Sequence, residues 1–227
     1  MTAFPDGPLV AFYGDDFTGS TDAMEVMAFA GLPTVLFLRP PDSDRLARFA
    51  DRRGIGIAGI ARSKPPSWMD AHLGVVLKGL FALGAPVTQY KVCSTFDSAS
   101  HVGSIGRAID IALPLASEPW SPIVVGAPQL RRWQSFGNLF AGVGDQRYRL
   151  DRHPTMARHP ITPMGEADLT RHLAGQTQRR IALVDIADLA SGRGDNALAR
   201  ARTHGAEIVL FDIVDSASQA EVGRLVW

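Results

Sequence analysis

One cysteine, Cys93, stands in 227 residues, so no disulfide can close within the chain. Net charge is missing too: 23 basic side chains balance 23 acidic ones. That excludes the basic field of a nucleic-acid binder or a polybasic membrane patch. Lysine is scarce, with Lys64, Lys78 and Lys91 the only three; nothing in the sequence explains that bias. No apolar run approaches the ~20 residues of a membrane span. The start, M-T-A-F-P-D-G-P, lacks the charged and apolar regions of a secretory leader. A soluble, cytoplasmic protein is the expectation. Also absent are a G-x-x-x-x-G-K-[ST] loop and a G-x-G-x-x-G turn after a strand, so no nucleotide site is legible. The six histidines show no metal-ligand spacing, and no Ser-His-Asp set can be assigned.

What is present is alternation. Short apolar runs at 10–13, 34–38, 55–60, 87–91, 123–125, 181–185 and 208–212 read as strands covered on both faces. Helical patterns fall between them, at 22–30, 67–83, 104–116, 166–176, 196–204 and 216–226. Gly31 and Gly84, each followed closely by Pro, mark two helix ends. The pattern predicts an α/β fold, Rossmann-like, with a mostly parallel sheet and helices on both faces. Met24, Val26 and Met27 read as core rather than interface. Residues 126–165 break the rhythm and form a long irregular insertion, with a small hairpin near 137–148. The insertion divides two possible lobes, 1–125 and 166–227.

The most informative stretch is Y-G-D-D-F-T-G-S-T-D, at 13–22. An apolar strand runs into Asp15 and Asp16, then a polar loop with Thr18, then a helix expected from about Asp22. Ligands of open α/β sheets bind beyond the carboxyl ends of strands, and a helix start favours an anion. Either Asp could be an ordinary cap. Both cannot serve one cap, because side chains alternate along a strand. Adjacent like charges also need a compensating cation, ligand or solvent. Two further strand ends are polar. One carries Tyr90, Lys91, Cys93, Ser94, Thr95 and Asp97; the other carries Pro128, Gln129, Arg131 and Arg132. If these ends share one edge, carboxylates for hydroxyls and cations for an acid group converge, as a sugar-acid pocket requires. Taken singly, Lys91 reads as a snorkelling surface lysine, and Ser94, Thr95 and Asp97 as turn formers. His159 reads equally as ligand contact or loop anchor. Cys93 is most simply a small buried residue.

The residues also carry a resemblance. D-D-F-T-G-S-T-D-A (15–23) resembles the N-terminal signature of the four-carbon acid sugar kinase family, and M-A-F-A-G-L-P-T-V-L-F (27–37) is similar to its continuation. K-V-C-S-T-F-D-S (91–98) is similar to the family form K-x-D-S-T-x-R-G; Lys91, Ser94 and Thr95 match, while Cys93, Asp97 and Ser98 depart from it. P-Q-L-R-R-W-Q-S-F-G (128–137) resembles P-x-x-G-R-x-x-x-x-G, with Arg131 in place of Gly, and H-P-I-T-P-M (159–164) resembles H-P-x-T-P-M. The departures look more like a branch acting on a branched or oxidised acid such as 3-oxo-isoapionate.

The resemblance implies that 1–227 is the N-terminal, substrate-binding domain of an ATP-dependent kinase of short sugar acids. ATP and Mg²⁺ would then be bound mainly by a C-terminal domain outside this chain, whose apolar helical end, V-G-R-L-V-W, reads as a truncation. Asp16 is expected to orient the attacking hydroxyl or accept its proton, with Asp15 as substitute. Substrate contacts are expected from Asp15, Asp16, Thr18, Lys91, Ser94, Thr95, Asp97, Arg132 and His159. The expected partner is a sugar acid, with no nucleic acid and no membrane, and with room for a homodimer. Two other readings stand beside this one: a stand-alone sugar-acid binding or regulatory domain without catalysis, and a nucleotide-dependent enzyme holding Mg²⁺ on Asp15 and Asp16.

Overall fold

A computed structural model describes residues 4–227, which divide into two compact units. One runs to Val92 and takes in Pro114–Ala116; the other comprises Cys93–Leu113 and Ser117–Trp227. The boundary expected near residue 125 therefore lies inside the second unit.

The first unit is built on β1 (Val10–Gly14), β2 (Thr34–Phe37), β3 (Gly54–Ala58) and β4 (Val87–Lys91), all parallel in the order β2-β3-β1-β4. Close packing dictates small residues on β3: a Cβ on Gly56 would sit 2.1 Å from Phe12 Cζ. Helix α1 (Phe17–Phe29) follows β1, the short α2 (Ser43–Ala47) follows β2, and α3 (Pro66–Phe81) follows β3. Pro66 suits the first turn of α3, where its missing N–H costs nothing. Met69, Leu73, Leu77 and Leu80 recur at helical spacing and are buried. Two expectations are corrected here. Helix α1 starts at Phe17, not near Asp22, because Asp16 caps it and the small residues after it enter the first turns. Of the three apolar residues expected in the core, Val26 is 65% exposed while Met24 and Met27 are half-buried; Phe29 is 85% exposed, and the buried positions are Gly19 and Ser20.

The second unit has its own parallel sheet, β5 (Ser121–Val124), β9 (Ile181–Val184) and β10 (Ile208–Phe211), in the order β5-β10-β9. The strands thus form two parallel sheets rather than one, so the polar ends of β4 and β5 do not share a sheet edge. Helices α4 (Ile105–Ala112), α5 (Leu169–Ala174), α6 (Ile186–Ala190), α7 (Gly194–Thr203) and α8 (Ser216–Val226) belong to this unit. Its core gathers Val184, Val209, Phe211, Ile213 and Val222. The insertion is more regular than expected. It holds an antiparallel sheet of β6 (Arg132–Ser135), β7 (Asn138–Val143) and β8 (Gln146–Arg149), and the hairpin foreseen near 137–148 is β7–β8. Phe136 and Gly137 turn β6 into β7 with φ of 48° and 75°, the two positive angles of a type I′ turn. Among the described residues no helix is long and apolar enough to cross a membrane.

Candidate functional site

Just past the end of β1 the chain places Asp15 and Asp16 so that one guanidinium reaches both carboxylates. The Asp15 side chain is buried, and Asp16, in extended conformation, accepts from Gly19 N at 2.7 Å as the cap of α1. Both carboxylates meet Arg62, which lies in a 3-10 turn (Ala61–Ser63) just past β3. Arg62 donates through Nη2 to Asp15 Oδ1 at 2.6 Å, through Nε to Asp15 Oδ2 at 3.1 Å, and through Nη1 to Asp16 Oδ2 at 2.6 Å. The parallel register places Gly14 beside Lys91, and Asp15 N donates to Lys91 O. Lys91 Nζ donates to Val92 O at 2.8 Å and passes over the first turn of α1, 2.8 Å from where a Cβ on Gly19 would lie. Gly19 is what lets the lysine come so close. Thr18 is exposed in the same turn.

Burial pushes the Asp15 carboxyl up, while Arg62, and more weakly Lys91, pull it down. Tyr13 and Tyr90 stack with ring centroids 5.7 Å apart beside this group. Burial raises both phenols, Tyr90 well above its ordinary value, so the wall they form is uncharged. The result is a cluster of two carboxylates and two cations at one end of a parallel sheet. Among the described residues no group of three His, Cys, Asp or Glu side chains could hold a metal ion. With Arg62 on both carboxylates, the donor set does not fit a resident Mg²⁺, contrary to the reading that placed Mg²⁺ there.

A second polar network lies in the other unit, and it joins the segment 93–98 to 159–162. Thr95 Oγ1 lies 2.5 Å from Asp97 Oδ1 and 3.0 Å from Cys93 Sγ. Thr162 Oγ1 donates to Asp97 Oδ2 at 3.3 Å, and Thr162 N donates to His159 Nδ1 at 3.1 Å. Thr95, Asp97 and Thr162 are buried; Cys93 and Ser94 are half-buried. Between them Phe96 takes a left-handed φ of 55°, held by its buried ring. Ser98 Oγ lies 3.0 Å from His172 Nε2 and accepts from Gln176 Nε2 at 2.8 Å, which pins the loop to α5. Burial lowers the His172 pKa, favouring the neutral ring. Arg132 turns Nη1 back onto the carbonyls of Leu130 and Arg131, and burial, with the Arg132 charge adding to it, lowers the pKa of His153.

The structure therefore brings Asp15, Asp16 and Lys91 together, with Thr18 on the adjoining turn, and brings Thr95, Asp97 and His159 together separately. Sequence reading missed Arg62, Thr162, His172 and Gln176. The signal for Arg62 was there: a cation directly after an apolar parallel strand, where the paired carboxylates needed one.

The chain matches the profile of a sugar-binding N-terminal domain family over residues 10–227. It is 58% identical over 229 residues to a 3-oxo-isoapionate kinase of Paraburkholderia graminis, covering all of this chain and 48% of the relative. It is 32% identical over 214 residues to a 3-oxo-tetronate kinase of Burkholderia multivorans, covering 93% of this chain and 48% of that one. The chain thus spans about half the length of these relatives. A solved Haemophilus influenzae structure superposes with a TM-score of 0.81 at 27% identity, over 95% of this chain and 51% of the other. A Bordetella bronchiseptica structure, solved as a domain-swapped dimer with bound citrate, shares the fold with a TM-score of 0.72 at 22% identity, over 96% and 50%. With the profile matched from β1 through α8, the chain belongs to the family of sugar-binding N-terminal domains.

Proposed function

We propose that this chain binds a short, oxidised sugar acid of the 3-oxo-isoapionate type and presents one of its hydroxyls for ATP-dependent phosphorylation. The observation that carries this is the Asp15–Asp16–Arg62–Lys91 cluster at the end of β1. Carboxylate oxygens have lone pairs left for polyol hydroxyls, and Lys91 offers a cation to the acid group. Asp16 is the half-buried one of the two carboxylates, and it is assigned to orient the attacking hydroxyl or accept its proton. Asp15, enclosed and bridged by Arg62, holds the charge balance and is the substitute. Phosphoryl transfer is mostly positioning and charge stabilisation, and this chain contributes the positioning. ATP and Mg²⁺ are assigned to the other half of the full-length protein, which also implies a cytoplasmic setting. Ser94, Thr95, Asp97, Arg132 and His159 are proposed as acid contacts of the second unit in their own right.

The test is calorimetric titration of the chain with 3-oxo-isoapionate, a 3-oxo-tetronate, threonate and erythronate, and then with Mg-ATP. Binding of an oxo acid that is weakened about tenfold or more by Asp16→Asn is the expected result. Tight Mg-ATP binding with no acid binding would overturn the proposal.

A further inference from the structure

We propose that Arg62 is a positioning residue for Asp16: its guanidinium bridges both carboxylates and locks the Asp16 carboxylate in one orientation toward an incoming hydroxyl. This rests on the function proposed above. Asp16 is gripped from two sides, Oδ1 by Gly19 N at 2.7 Å and Oδ2 by Arg62 Nη1 at 2.6 Å. A carboxylate bonded at both oxygens is restrained from rotating, and the lone pairs it keeps hold a preferred direction. The grip is itself anchored. Arg62 N donates to Asp15 O at 3.0 Å, and Nε and Nη2 fork onto Asp15, so the third arm of the guanidinium reaches Asp16 from a fixed base.

Only arginine has this planar fork; lysine would offer one compact charge. The fork also answers the repulsion between neighbouring carboxylates. The charged and titratable groups facing Asp15 are Arg62, Asp16, Lys91, Tyr13 and Tyr90. Of these, Arg62 opposes the effect of burial most strongly. Without it, Asp15 takes up a proton at a higher pH, and the anchor of the bridge loses its charge.

A purely structural ion pair would share some of these contacts, so the test uses readouts that separate the two roles. Arg62→Gln and Arg62→Lys are compared with wild type in three measurements: titration of the Asp15 carboxyl by carbon NMR, exchange of the Gly19 amide, and calorimetric affinity for 3-oxo-isoapionate. For Arg62→Gln the Asp15 titration should move up by about one pH unit or more. The Gly19 amide should exchange faster, and affinity should fall roughly tenfold. Arg62→Lys should return the Asp15 titration toward wild type but leave Gly19 exchange and affinity impaired.

The proposal is overturned if Arg62→Lys restores all three, because a point charge then suffices, or if Arg62→Gln leaves Gly19 exchange unchanged. The pair Asp15→Asn with Arg62→Gln, which removes the buried carboxylate's charge together with its partner cation, supplies a folded background if Arg62→Gln alone does not fold. Its Gly19 exchange should still be fast, and wild-type protection there would sink the positioning role. Should wild type bind no acid, the functional proposal fails, while the two NMR readouts still decide the role of Arg62.

Discussion

Asp15 and Asp212 occupy the same place in the two parallel sheets, the residue just past an inner strand, and they are compensated in different ways. Asp15 follows β1 and meets a cation, Arg62. Asp212 follows β10, is fully buried, and is compensated by backbone donors instead: it accepts from the N–H groups of Phe136, Gly137 and Ile186. Burial raises both carboxyls above the usual range. The difference lies in what surrounds them. The β6–β7 turn and the start of α6 close over Asp212, so the end of that sheet is filled by the protein itself. Asp15 instead is followed by the half-buried Asp16 and, in the first turn of α1, the exposed Thr18, whose polar groups reach solvent. Position at the end of a parallel strand makes a carboxylate a candidate for function; the compensating group decides whether it is a lock or a site.

The largest break in this comparison should come from Asp212→Ala. It strands three N–H groups that now bond the buried carboxylate, each costing about 1–3 kcal/mol when left unpaired. Urea unfolding should show a loss of about 3 kcal/mol or more, unless water enters the gap. A loss under about 1 kcal/mol would mean that the turn at Phe136 does not depend on the carboxylate.

The two aspartates also mark how far the sequence could be read. The pair at 15 and 16 was conspicuous because two charges interrupt an apolar strand end. Asp212 ended a similar strand, but its partners are backbone amides, and backbone donors carry no sequence signature. For the same reason the alternation of strands and helices was legible, while their division into two sheets was not: pairing partners are set by tertiary contact. Helix α1 was misplaced at its start because Thr18, Gly19, Ser20 and Thr21 look like a loop by propensity. The cap from Asp16, and a lysine lying over Gly19, override that preference. The link from Asp97 to Thr162 spans 65 positions, and spacing alone cannot reveal such a contact.

Gly19 sharpens the comparison next. In a helix interior, Gly→Ala normally stabilises by about 1 kcal/mol. Here the new Cβ would lie 2.7 Å from Asp16 Oδ1 and 2.8 Å from Lys91 Nζ, both ends of side chains that can shift. Gly19→Ala should therefore keep the fold within about 1 kcal/mol of wild type and weaken sugar-acid binding roughly tenfold. Unchanged calorimetric affinity would show that the placement of Lys91 and Asp16 is not what the ligand reads.

A smaller effect separates the two kinds of compensation by pH. A carboxyl raised on folding favours the folded state in acid, and that contribution is lost as pH rises through its folded value. Asp15→Asn mimics the protonated form at every pH. Its unfolding free energy should therefore gain on wild type between pH 4 and pH 7. A gap that stays constant over that range would mean that Asp15 titrates near its ordinary value, with Arg62 cancelling burial entirely.

The smallest effect tests a backbone position that the family resemblance singled out. Arg131 stands where the related motif has glycine, and it adopts φ 59° and ψ 45°, the left-handed region. That conformation costs a non-glycine residue about 1–2 kcal/mol. Its side chain gives something back, since the guanidinium lies about 3.0 Å from where a Cβ on Gly142 would be, across the backbone of β7. Comparing Arg131→Gly with wild type mixes strain relief, lost packing and a more flexible unfolded chain. Comparing it with Arg131→Ala removes the packing from both sides. Arg131→Gly should exceed Arg131→Ala in unfolding free energy by about 0.5–1 kcal/mol, the strain less the extra entropy of glycine. Equal stabilities would show that the hydrogen bonds from Arg131 N to Pro128 O and from Gly142 N to Arg131 O hold the turn without strain, and that arginine here replaces glycine at no cost.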